Sequence, residues 1–133
     1  LFEAGRVRDA FAYAEAAHRL APAEANYAYY LGLIYLELSL YEHALPLLKQ
    51  ASTSVNSNAP LYQEALAQCY FEIGRADIAL PLAKKARDNS KSEQDRKRLT
   101  TMIATFLVQS GKTDEAKPYI DKLYVLGGVA RTL

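Results

Sequence analysis

The chain has 133 residues, half of them hydrophobic, and a formal net charge of +1. That length suits one ordinary domain, and that apolar content suffices for a packed core and is too high for a disordered segment. The charge balance provides no whole-chain attraction to nucleic acid or a membrane surface, the single Cys69 cannot close an internal disulfide, and the longest uncharged apolar run, Tyr27 to Leu36, is too short to span a bilayer.

The opening stretch, "LFEAGRVRDAFAYAEAAHRLAP", carries Gly5, Ala10, Ala17 and Pro22. After it, Tyr27–Leu38 places apolar residues at three- and four-residue spacing, which predicts a helix. Gly32 stands in its middle, although glycine inside a helix costs about 1 kcal/mol relative to alanine. A short turn follows, and a second helix opens with Glu42 and contains Pro46.

The pattern then recurs. "LGLIYLELSLYEHALPLLKQAS" is answered from Leu66 by "LAQCYFEIGRADIALPLAKKAR". Gly32 maps to Ala67, Tyr35 to Tyr70, Ala44 to Ala79, Pro46 to Pro81 and Ala51 to Ala86. A third copy, "IATFLVQSGKTDEAKPYIDKL", begins at Ile103, and Gly5, Ala10 and Ala17 match Ser39, Ala44 and Ala51 further back. First helices are predicted at Tyr27–Leu38, Leu61–Ile73 and Leu99–Val108. Ser92-Glu93-Gln94-Asp95 reads as a capping box before Arg96–Ser110. Second helices open with Glu42, Asp77 and Asp114, acids that suit a helix N-terminus. Pro46, Pro81 and Pro118 follow, placed where few amide donors have partners. Gly127-Gly128 is expected to stop the last helix.

These copies resemble the tetratricopeptide repeat, a helix–turn–helix unit. The resemblance implies an all-α solenoid of helical hairpins winding as a right-handed superhelix. It spans a single domain, 1–133, with a partial repeat at 1–24 and complete repeats at 25–59, 60–96 and 97–128. In the family a small residue in the first helix, helix A, packs against one in the second, helix B. Gly32 with Ala44, Ala67 with Ala79 and Ala104 with Ala116 fill those places. The family's turn glycine is matched by Gly5, Gly74 and Gly111, while Ser39 departs from it. Its tryptophan is absent, with Ala28, Gln63 and Thr100 in that position. Because "VARTL" makes no polar terminal cap, the chain is read as a piece of a longer protein.

Little in the sequence suggests chemistry. His18 and His43 fall in different B helices, and Glu42 beside His43 does not face it on a helix. Cys69, mid-helix with no histidine near it in the register, reads as a buried structural thiol. There is no glycine-rich phosphate loop and no Cys/His metal spacing, so no cofactor and no metal are expected and the chain is read as a non-enzyme.

The resemblance implies a concave groove, lined by the A helices, that holds a protein or peptide partner. Its positions map to Asn26, Tyr29, Leu33, Leu36 and Glu37, then Leu61, Glu64, Gln68, Phe71 and Glu72, then Arg98, Thr101 and Thr105, with Val108 and Gln109 beyond. Phe2, Leu36, Phe71 and Val108 would form an apolar line, flanked by an acidic line of Glu3, Glu37 and Glu72 that favours a cationic partner. A Lys/Asn clamp for carboxylate tails is missing, since Tyr29, Leu33 and Gln68 occupy its positions and only Arg98 suits an anion. Residues 84–98 are rich in Lys and Arg, but Asp88, Glu93 and Asp95 dilute them and no aromatic is interleaved, so nucleic acid is not expected as a partner. The reading is a protein-interaction scaffold, in a bacterial secretion, export or assembly system and there cytoplasmic or periplasmic. Type III secretion translocator chaperones are a narrower resemblance, carried by "EALAQCYFEIGRADIAL". A homo-oligomerisation module is the alternative.

Overall fold

The computed structural model describes residues 4–53 and 59–127. Expectations for Leu1, Phe2, Glu3, Gly128 and "VARTL" lie outside the described residues. Within them the chain forms seven α-helices and no strand. They are α1 (Ala4–Leu20), α2 (Ala25–Glu37), α3 (Tyr41–Ser52), α4 (Ala59–Glu72), α5 (Ala76–Asn89), α6 (Glu93–Gln109) and α7 (Thr113–Gly127). The fold is an all-α helical repeat, in which α2, α4 and α6 are the A helices and α1, α3, α5 and α7 the B helices.

The three A helices end in the same way. Ser39, Gly74 and Gly111 have φ of 60°, 85° and 78°. In each turn the next residue's amide reaches back five positions, Leu40 to Tyr35, Arg75 to Tyr70 and Lys112 to Leu107, all at 2.8 Å. Each turn is therefore a Schellman motif, which satisfies the last carbonyls of the helix. Glycine takes this left-handed conformation freely, whereas Ser39 carries a Cβ and costs about 1 kcal/mol for the same geometry. Gly5 does not serve as a turn glycine. It lies within α1 in helical conformation, because Ala4 and Arg6 beside it are good helix formers and glycine accepts either state.

Close packing of A on B explains Gly32. A Cβ built there would lie 2.7 Å from Leu48 Cδ2 and 2.9 Å from Leu48 Cγ. Leu48, one turn beyond the expected Ala44, is thus the side chain that uses the space, and it is fully buried. Ala44, Ala67, Ala79 and Ala116 are fully buried too, and Ala104 nearly so. Enclosing one leucine removes enough apolar area for about 1.5–3 kcal/mol, which exceeds the helix-propensity cost of the glycine.

The helix termini follow the sequence closely. Ser92 caps α6, its hydroxyl accepting from Asp95 N at 3.2 Å, so the helix begins at Glu93, three residues before the expected Arg96. Glu42, Asp77 and Asp114 stand in first turns. The prolines differ from expectation. Pro46, Pro81 and Pro118 are the sixth residues of α3, α5 and α7, past the free donors of the first turn. Each leaves the carbonyl four residues back without a helical donor, and each stands on the exposed side, where water can serve it.

Candidate functional site

The outer faces of α2, α4 and α6 form a trough with two joined depressions. The first, about 390 Å³, is lined by Tyr29, Leu33 and Leu36 of α2, Leu61, Glu64 and Gln68 of α4, and Asp95, Arg98 and Met102 of α6. The second, about 300 Å³, is lined by Gln68, Phe71 and Glu72 of α4 with Arg98, Thr101, Met102, Thr105 and Gln109 of α6. Gln68, Arg98 and Met102 belong to both. The period of roughly one turn puts these side chains on one face of each helix, and the repeat aligns those faces.

The middle of the trough is an ion-pair network. Arg98 donates to Glu64 through Nε (3.0 Å to Oε2) and Nη2 (2.8 Å to Oε1), and through Nη1 to Asp95 Oδ1 at 2.8 Å. The two-point fork to Glu64 joins α4 to α6. These hydrogen bonds, Glu64's first, hold the Arg98 guanidinium firmly protonated. Burial, with the Glu64 carboxylate second, raises the Tyr29 phenol above its ordinary value, so Tyr29 is a neutral group at the trough floor. Glu72 accepts from Gln68 Nε2 at 2.7 Å and from the Tyr41 hydroxyl at 3.3 Å. Thr101 and Thr105 donate to carbonyls one turn back, at 2.9 and 2.8 Å, which leaves their oxygens as acceptors.

Most mapped groove positions therefore meet in one trough, with four qualifications. Asn26 accepts from the Tyr62 hydroxyl and stands at the α2–α4 junction. Glu37 lines an apolar groove between α1 and α2, which shares Leu33 and Leu36 with the first depression. Phe71 stacks face to face on Phe106, with ring centroids 4.1 Å apart and planes 8° apart, so half of it is core. Val108 is exposed and lines neither depression. The acidic line is uneven as well, since Glu72 is hydrogen-bonded and Glu37 faces elsewhere. Asp95 and Met102 were not foreseen. The capping box was the signal for Asp95, because it fixes where α6 begins and so where its first turn points.

The residues with chemical potential are scattered. His43 stacks on Tyr35 at 5.1 Å. Cys69 is fully buried, its thiol 3.7 Å from the Tyr41 carbonyl and pushed up by burial and then by Glu72. Among the described residues no three His, Cys, Asp or Glu side chains gather as a metal site, and no helix is long and apolar enough to cross a membrane. The basic cluster is also divided. Lys84 and Arg87 lie 5.9 and 5.4 Å from the centroid of the Tyr119 ring, Arg96 donates to the Ser90 carbonyl at 2.8 Å, and Arg98 is held in the trough.

No protein-family model and no curated protein matches the chain. Solved structures do. MamA of MSR-1 is 26% identical, with a TM-score of 0.77 over 95% of this chain and 70% of that one. MamA from residue 41 to the end, from Desulfovibrio magneticus RS-1, is 17% identical with a TM-score of 0.79, over 96% of this chain and 68% of that one. A Podosopora anserina protein assigned as a kinesin light chain, with nearly identical TPR-like repeats, is 16% identical with a TM-score of 0.74, over 97% and 70%. These likenesses show an all-α helical-repeat fold of the kind seen in TPR-like repeats. A tetratricopeptide-repeat solenoid stacks its hairpins so that one helix of each lines an extended surface, the architecture of a protein–protein interaction scaffold.

Proposed function

We propose that the trough along α2, α4 and α6 holds a segment of a partner protein, extended or helical. The observation that carries this reading is the joined pair of depressions, apolar at the Tyr29, Leu33, Leu36 and Leu61 end and polar at the Thr101, Thr105 and Gln109 end. Apolar anchors of the partner seat at the first end, and its polar groups meet hydroxyl and amide acceptors at the second. Arg98 is already occupied by Glu64 and Asp95, so a free carboxylate terminus finds no open cation there. Partner choice then rests on shape and apolar anchors more than on charge. The narrower setting, a bacterial secretion, export or assembly system or a translocator chaperone, is supported by the resemblance of residues 64–80 alone.

The test is affinity capture with the parent and with a Tyr29→Ala/Leu61→Ala variant, identification of captured proteins by mass spectrometry, and calorimetry with the bound segment as a peptide. The variant should lose about tenfold or more in affinity, because two apolar anchors are truncated. Equal affinity for both chains would remove the trough from the function. Light scattering at several concentrations reads the competing case, a self-assembly module, as a dimer that persists on dilution without a bound segment.

A further inference from the structure

A cleft between the B helices α5 and α7 lies outside the trough and shares no lining residue with either of its depressions. It encloses about 320 Å³. Tyr119 of α7 packs on the core cluster that holds Ala79, Ala83 and Ala116. Three cations surround its ring, with Lys84 Nζ at 5.9 Å from the centroid, Arg87 Cζ at 5.4 Å and Lys122 Nζ at 6.0 Å. No two of them stand further apart than twice that reach. All four residues line the cleft, with Leu107 and Pro118 as its apolar part and Glu115 as its carboxylate. Three cations against one carboxylate leave two positive charges in excess, in a chain whose formal net charge is +1.

Repeat packing does not require this arrangement. One repeat earlier, the same positions between α3 and α5 carry Lys49, Ser52, Ile78, Leu82 and Lys85. Leu82 packs on the core there as Tyr119 does here. Arg87, Glu115 and Tyr119 are therefore additions to the repeat rather than parts of it. Those positions also show what stacking leaves open. Lys49, Pro81 and Lys85 are exposed, although α6 and α7 follow them in the stack. The face between two B helices is thus not the seat of another helix of the solenoid.

The cations are poorly neutralised. Lys84, Lys122 and Glu115 form no ion pair among the described residues. Arg87 reaches the exposed Asp88 only at 3.5 Å, through Nη2, and its Nη1 is buried without a hydrogen-bond partner among the described residues. A ring face attracts a cation but carries no net charge, and it cannot serve the five N–H donors of a guanidinium. A buried guanidinium nitrogen left unpaired is costly. We propose that the cleft binds a small phosphate monoester. Such a group carries about 1.5 to 2 negative charges at neutral pH and three strong acceptor oxygens, which matches both the excess charge and the number of cations. A carboxylate, with one charge and two oxygens, matches neither. Arg87 takes two phosphoryl oxygens with its planar fork, after a turn of its terminal torsion and in place of the long contact to Asp88, while Lys84 and Lys122 act as point charges. The organic portion lies on Leu107 and Pro118, for which the volume leaves room.

The probe is phenyl phosphate, titrated into the whole chain and followed by heteronuclear NMR of the backbone amides. Saturable one-to-one binding is expected, with a Kd of about 1 mM or tighter and shifts confined to α5, α7 and the neighbourhood of Leu107. Arg87→Ser, which installs the residue type of Ser52 one repeat earlier, should weaken binding about tenfold or more, because a charge-assisted fork is lost. Lys122→Gln should weaken it about threefold and Glu115→Gln strengthen it about twofold, the sizes of exposed charge pairs. Dimethyl phosphate, a diester with one charge, should bind about tenfold more weakly, and inorganic phosphate about threefold more weakly, since it leaves the apolar lining unused. Leu61→Ala, in the trough, should leave binding unchanged, which separates failure here from failure there. A thermal melt checks that Arg87→Ser still folds, and Lys84→Gln is the second variant if it does not, with weaker binding again expected. The proposal is overturned by absence of saturation or by equal binding to the parent and the Arg87 or Lys84 variant. It is overturned equally by dimethyl phosphate binding as tightly as the monoester, which would point to a nucleic-acid or phospholipid diester, or by inorganic phosphate doing so, which would assign the cleft to the free anion.

Discussion

The helices α1 and α3 carry small or apolar residues at the same register positions and differ in what lies over them. On α3 the seat is closed by α2, and Ala44, Leu48 and Ala51 are fully buried. On α1 the seat is open, and Ala10, Ala14 and Ala17 remain half-buried. The repeat pattern thus decides which face of a helix is apolar, while burial depends on the next helix. In a solenoid each unit draws stability from its neighbours, so an identical side chain contributes differently where a described helix covers it and where none does.

The largest expected effect tests that contrast directly. Leu48→Ala on the closed seat should cost about 2–5 kcal/mol by denaturant or thermal melting, whereas Ala14→Leu, its mirror on the open seat, should stay within about 0.5 kcal/mol. Equal costs would mean that α1 and α3 are buried alike. Next, Ala79→Leu inserts volume into a fully buried contact of the next repeat and should cost about 1–3 kcal/mol. A variant that melts no earlier than the parent would deny the close approach of A and B helices. The two helical glycines sharpen the comparison further. Gly32→Ala gains helix propensity but drives its methyl into the enclosed Leu48, for a net loss of about 1 kcal/mol. Gly5→Ala meets nothing within 4 Å and should gain about 0.5 kcal/mol. The smallest change is at the turn of the first complete repeat. Ser39→Gly relieves a left-handed Cβ and should add about 0.5 kcal/mol, the gain being reduced by the freer unfolded chain and by loss of the weak Tyr41–Ser39 contact at 3.3 Å.

The sequence carried the helical register well because small residues recur where backbones must approach, and that recurrence survives the loss of the family's tryptophan. Ser92 announced the start of α6 through its side-chain chemistry, and Cys69, read as a buried thiol from its mid-helix place with no histidine near it in the register, is fully buried. The candidate groove was legible to the same extent, as a set of aligned helix faces. What escaped depends on contacts between repeats. Arg98 and Glu64 lie one helical turn apart in the register, so their bridge is diagonal and no single position predicts it. Phe71 lines the second depression as the register placed it, but its stacking on Phe106 is a contact between repeats that the register does not show. Glu37 is on the edge of its helix face, and it lines the groove with α1 rather than the trough.

The guanidinium of Arg98 has one more consequence, for kinetics. One guanidinium set against the carboxylates of Glu64 and Asp95 leaves mid-trough one negative charge in excess, so it presents a mildly negative field to an approaching molecule. Capture of a basic segment there is modestly steered, at a rate that falls as ionic strength is raised, and selectivity is expressed in how slowly the bound segment leaves.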